Sequence, residues 1–173
     1  MRSLVAWLII LVAISSRSSA AQAHDTHAHT PPPQGDSAFA AMQARGRAAM
    51  GVDQYTSVHR FDAFPDGGRI ELRRDRDDAE GTTRIRAHMR TIARAFATGD
   101  FSTPALVHLT AVPGVDVMRD RHAGIRYEAI DLPRGAALRI RTSDATAVTA
   151  IHRFLAFQRE EHRVSAAEPS KTH

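Results

Sequence analysis

Cysteine is absent from the 173-residue chain, and that absence removes whole classes of chemistry. No disulfide framework can form, whatever the compartment. Thiolate metal sites, covalently attached haem and a cysteine nucleophile are excluded with it, as is a lipid anchor on a cysteine at a cleavage site. Lysine is nearly missing too: Lys171 is the only one, so the cations are almost all arginine. Lysine and arginine together number 23 against 19 acidic residues, which leaves the chain mildly basic. A nucleic-acid footprint would require arginine clustered on one reading surface, so nucleic acid is set aside as a partner. There is no Gly-x-Ser-x-Gly elbow, no phosphate-binding glycine loop and no HExxH pair. The acidic run Asp75, Asp77, Asp78 and Glu80 lacks the placed glycine and terminal glutamate of a calcium loop. The longest apolar run, residues 4–14 (LVAWLIILVAI), falls well short of the ~20 residues of a membrane span.

What is present begins with that run. Arg2 before it and Ala21-Gln22-Ala23 after it make residues 1–23 a secretory signal, so the mature protein is expected in the periplasm or medium, with no stable membrane insertion. About 150 residues remain, enough for one domain with its own core. Residues 24–35 (HDTHAHTPPPQG) read as a tether extended at its proline run. Residues 36–163 are expected to form a single domain, and 164–173 a tail without periodicity.

Within the domain, Asp36 or Ser37 opens a first helix that Gly51 closes. Tyr55, Ser57, His59, Phe61 and Ala63 then share one face, with Thr56, Val58, Arg60, Asp62 and Phe64 on the other. A Pro65-Asp66-Gly67-Gly68 turn follows, and alternation resumes with Ile70 and Leu72 against Arg69, Glu71 and Arg73. This predicts a hairpin. Ile85, Met89, Ile92 and Phe96 mark one face of a helix, with Arg86, Arg90 and Arg94 opposite, most simply a solvated side. The pattern recurs: strands 125–132 and 136–142 around Pro133-Arg134-Gly135, then a helix capped at Ser143 or Asp144 and carrying Val148, Ile151 and Leu155. The fold class is therefore α+β, a helix followed by two strand-strand-helix units on an antiparallel sheet. Arginines 69, 73, 139 and 141 on one strand face imply a solvated side and a two-layer sandwich. Residues 101–124 form a long connection, which is either functional or conceals an element.

Gln43-Ala44-Arg45-Gly46, Met50-Gly51, His59-x-Phe61 and Gly67-Gly68-x-Ile70 also form a pattern with Ile85-Arg86-x-His88, Phe96 and Gly99-Asp100-Phe101. With Ala150-Ile151-His152-x-Phe154-Leu155 and Gln158, they resemble a family of small exported bacterial proteins to which no activity is attached. The resemblance implies one exported domain and carries over no catalytic residue.

Histidine supplies the candidate site. Cleavage after Ala23 exposes His24, whose amine and ring can together ligate copper, with His27 and His29 close behind. Cleavage after Ala21 would instead place His24 third, a square-planar Cu(II) or Ni(II) arrangement. The competing account is a solvated tract that binds metals weakly. Within the domain, His59, His88, His152 and His162 lie on or beside apolar stripes, where an unpartnered ring is costly; a carbonyl or carboxylate partner is the commoner solution. His108 and Met118 in the long connection are soft donors for copper or haem iron, unless that segment only packs over the sheet. These residues predict an exported, non-enzymatic domain that binds a transition metal, copper first. The alternatives are a metal-free interaction or structural domain and an enzyme of unfamiliar type.

Overall fold

Two hairpins join edge to edge to make the sheet. The computed structural model describes residues 34–163; the expected leader, His24, His27, His29 and the residues after Arg163 lie outside them. The first hairpin is β1 (Ser57–Phe64) and β2 (Gly67–Arg74), the second β3 (Arg126–Leu132) and β4 (Gly135–Arg141). The order is β1-β2-β4-β3, antiparallel throughout. Ile70 pairs directly with Leu138, and these are matching positions of the two units. The sequence similarity between the units is therefore expressed as an approximate two-fold relation about the β2–β4 seam.

Helix α1 (Gln34–Met50) precedes the sheet, α2 (Ala79–Ala97) follows the first hairpin and α5 (Ala145–Glu161) the second. Each of these last two lies chiefly over the other unit's hairpin: α2 on β3 and β4, α5 on β1 and β2. The architecture is α+β with the helices on one side of the sheet. Leu72, Leu138 and Ile140 from the strands and Ile85, Ile151 and Leu155 from the helices are completely buried between the layers. Each such side chain contributes roughly 1.5–3 kcal/mol. Gly68 sits in this layer opposite Ile140, and a Cβ there would collide with Leu155 and the Asp62 carbonyl. Its bare backbone lets α5 settle onto the sheet. No described helix is long and apolar enough to cross a membrane.

The helices start where their side chains satisfy the first amides. The Asp78 carboxylate accepts from Gly81 N–H at 2.8 Å, and Asp144 accepts from Thr146 at 2.8 Å and Ala147 at 3.2 Å, satisfying amides that the helix itself leaves unpaired. Helix α1 begins at Gln34, two residues ahead of the expected Asp36 start. The long connection does conceal structure: α3 (Ser102–His108), α4 (Val115–Asp120) and a 3₁₀ turn at His122–Gly124. Both helices are shorter than the two turns that a 3.6-residue period needs to declare itself. Nor are the α2 arginines merely solvated. Arg86 donates to the Leu132 carbonyl at 2.9 Å and the Gly135 carbonyl at 3.2 Å, and Arg90 reaches both Asp131 oxygens at 2.7 and 2.8 Å. They tie α2 to the turn of the second hairpin.

The opposite sheet face bears a lattice of opposed charges. Arg69 bonds Asp62 at 2.7 Å, Arg73 meets Glu71 at 2.7 Å, and Arg141 pairs with Glu128. Most of its arginines are answered within the face.

Candidate functional site

Helices α2 and α5 leave a gap over the first hairpin, and α1 and α3 close it. Arg45 of α1 donates to the Val107 carbonyl of α3 at 2.7 Å, holding these two together. Beneath them is a cavity of about 90 Å³, large enough for an ion or several waters. Four histidines line it, each from a different element: His59 from β1, His88 from α2, His108 at the end of α3 and His162 capping α5. Met50 and Met89 line it too, and the rest is largely aliphatic or aromatic, with no carboxylate.

Local structure accounts for each placement. His59 alternates inward with Phe61 on the helix-facing side of β1 and stacks on it, ring centres 6.2 Å apart. His162 continues the stripe of Ile151 and Leu155 just past the last turn of α5. Its ring stacks on His59 at 5.2 Å and 13°, and meets His108 edge-on at 5.4 Å and 88°. His108 Nε2 lies 3.1 Å from Gln158 Oε1, and its Nδ1 lies 3.7 Å from Glu161. The His88 ring lies near the Ala49 carbonyl, which favours its protonated form without outweighing burial. His59 Nε2 and the Gln158 amide nitrogen are buried without a hydrogen-bond partner.

Burial keeps these rings neutral. It lowers His59 to about 4, with neighbouring His88 adding to the effect. It lowers His162 to about 3, with His59 and His108 as further causes. His88 and His108 are also held below the ordinary value by burial, opposed by the Ala49 carbonyl in one case and by Gln158 and Glu161 in the other. Neutral imidazole is the form that ligates a metal.

The spacing suits a shared ion better than the orientation does. With a nitrogen about 2.0 Å from the ion, an imidazole centre lies roughly 3 Å away, so two ligands at a tetrahedral angle have centres about 5 Å apart. The 5.2 and 5.4 Å separations match. Ring lone pairs lie in the ring plane, however, and two planes only 13° apart cannot both point at one nearby ion. As the rings stand, no three histidine, aspartate or glutamate side chains among the described residues could hold a metal. Joint ligation requires a ring to turn about χ2, a broad torsion in histidine.

The chain matches no family model, no curated protein and no solved structure. The site must therefore be read from its own chemistry.

Of the residues singled out in the sequence, His24, His27 and His29 lie outside the described ones. His108 and Met118 do not share a site. Met118 is fully buried in the core on α4, a helix whose start abuts Ala150, whereas His108 meets Gln158. Eight residues of helix separate those levels, about 12 Å. His152 stands apart as well: its Nε2 lies 2.8 Å from the Phe64 carbonyl and 3.1 Å from that of Gly67, a structural clamp on the first hairpin turn. Met89 belongs to the α2 stripe and Met50 ends α1; nothing in their spacing distinguishes a cavity wall from core.

Proposed function

We propose that the chain is an exported, non-enzymatic domain that binds a transition metal ion, copper before others, in the cavity between the first hairpin and its covering helices. The observation that carries this reading is the convergence of four neutral imidazoles and two thioethers on one apolar cavity, with His59 Nε2 buried and unbonded. A buried ring nitrogen without a partner forfeits about 1–3 kcal/mol, which a bound ligand would return. The chemistry fits a metal once the His59–His162 stack opens. Such an ion would supply no reaction here, only a bound cargo or a fixed charge. The histidines of the tether are a second donor set, suited to capture at the mature N-terminus.

Copper titration of the mature chain tests this against the alternatives. A His24→Ala/His27→Ala/His29→Ala variant should retain one tight equivalent, and a His59→Phe variant should lose it. Binding to the folded site should also raise the unfolding midpoint, by about 2.7 kcal/mol of stability at a hundredfold excess over Kd. If the tether variant loses all binding and His59→Phe loses none, the site is the tether. If neither copper nor zinc binds at micromolar concentration, the metal reading fails. A metal-free interaction domain would replace it, for which the uncovered face of the sheet is the supporting feature.

A further inference from the structure

Resting on the reading of this cavity as a metal site, we infer that it is built for copper in the monovalent state, with His59, His88, Met50 and Met89 as the donors. Every donor in that set is uncharged. Among the described residues the lining contains no aspartate or glutamate, Glu161 standing outside it behind the His108 ring at 3.7 Å, and the chain has no cysteine to supply a thiolate. An ion entering the cavity therefore keeps its full charge in an apolar surrounding. The cost of moving a charge out of water rises with its square, so a divalent ion pays about four times as much for the same ligands. Zinc or Cu(II) would normally recover that through an anionic ligand, and none lines the cavity.

Softness points the same way. Thioether sulfur selects Cu(I), whereas zinc and Cu(II) favour nitrogen, oxygen and thiolate. Met89 is buried beside His88 on α2, and Met50 reaches the cavity from the end of α1. Helices α1 and α2 touch, so Met50 from one and His88 and Met89 from the other reach the same lining, and β1 supplies His59. Cu(I) accepts two-, three- or four-coordinate arrangements of neutral donors, so these residues suffice without ordering a water in an apolar space.

The test uses the full mature chain carrying His24→Ala/His27→Ala/His29→Ala, so that only the domain reports. Cu(I) is titrated anaerobically against bicinchoninate as a competing chelator, with Zn(II) and Cu(II) titrated in parallel. One equivalent of Cu(I) should bind at least a hundredfold more tightly than either divalent ion. A Met50→Leu/Met89→Leu variant, close in volume and therefore expected to fold, should lose tenfold or more in Cu(I) affinity while its weaker Zn(II) binding is unchanged. X-ray absorption of the loaded protein should show sulfur bound to copper, a signature that a merely structural role for the methionines would not produce. Zinc or Cu(II) binding as tightly as Cu(I), or full Cu(I) affinity in the double variant, overturns the monovalent assignment while leaving a metal site in place. Absence of all metal binding overturns the underlying reading instead.

Discussion

Acidifying the metal-free chain from about pH 7 to about pH 4 is expected to unfold the domain, with loss of stability beginning near pH 6.5. The cause is the pair of stacked rings. Burial lowers His59 from 6.5 to about 4 and His162 from 6.5 to about 3, while both titrate normally in the unfolded chain. Their folded values lie below their unfolded ones, so above pH 6.5 neither state binds the protons and nothing is lost. Below pH 6.5 the unfolded state takes up protons that the folded state refuses, and stability falls by up to 1.4 kcal/mol per ring for each pH unit. By pH 4 that amounts to roughly 3 kcal/mol from each ring, against the 5–15 kcal/mol that a typical domain possesses. The loss from His59 levels off below about 4, that from His162 below about 3. The aspartates held low by capping and arginine contacts, Asp78 and Asp144 among them, lose their contribution only at more acid pH. Urea midpoints at half-unit steps from pH 7.5 to 4.5 check this. His59→Phe, which preserves a ring in the stack, should reduce the slope by about one proton. A midpoint independent of pH between 6.5 and 5 would contradict the burial of these two rings.

Replacing Gly114 by alanine should cost the domain about 2–5 kcal/mol. The residue stands at φ +84°, a left-handed conformation that costs an L-residue about 1–2 kcal/mol. A Cβ would also strike the Ala150 carbonyl oxygen, which belongs to the backbone of α5 and cannot swing aside. Relief requires α4 to lift away, uncovering Met118 and Val115, both buried in the core; such overpacking adds about 1–3 kcal/mol. The unfolding midpoint should fall by on the order of 10 °C or more for a domain of this size. Gly124 provides the control: a Cβ there meets nothing within 4 Å, and Gly124→Ala should move the midpoint by no more than about 2 °C. Equal effects at the two positions would show that α4 is not docked on α5 through Gly114.

These two expectations rest on features of different legibility. Alternation through His59 and Phe61, and again through Ile70 and Leu72, was enough to place the first hairpin, because a two-residue period is visible within five residues, and the Pro133-Arg134-Gly135 turn marked the second. The α2 and α5 stripes were equally plain, whereas the caps were not: Asp78 was one of an acidic run, and Asp144 shared its place with Ser143. The docking of α4 was hidden, since six residues cannot display a helical period and the need for glycine at 114 arises from the distant Ala150 carbonyl. The cavity was half visible. His59 and His162 each lie on an apolar stripe, but their meeting depends on α5 crossing to the first hairpin, a choice made by long-range packing. His108 was singled out with Met118 because the two share a segment; α3 and α4 carry them to different helix levels. Met50 and Met89 gained meaning only once α1 was seen to end beside α2.

Ring-nitrogen NMR of the histidines during addition of one equivalent of Cu(I), in the full mature chain labelled with nitrogen-15, bears on the metal site itself. The account predicts that the His59 and His88 nitrogens shift together and saturate at one equivalent, that the His59–His162 stacking shifts disappear, and that His152, clamped on the first hairpin turn, does not move. Shifts confined to His24, His27 and His29, with His59 and His88 unchanged at saturation, would contradict it.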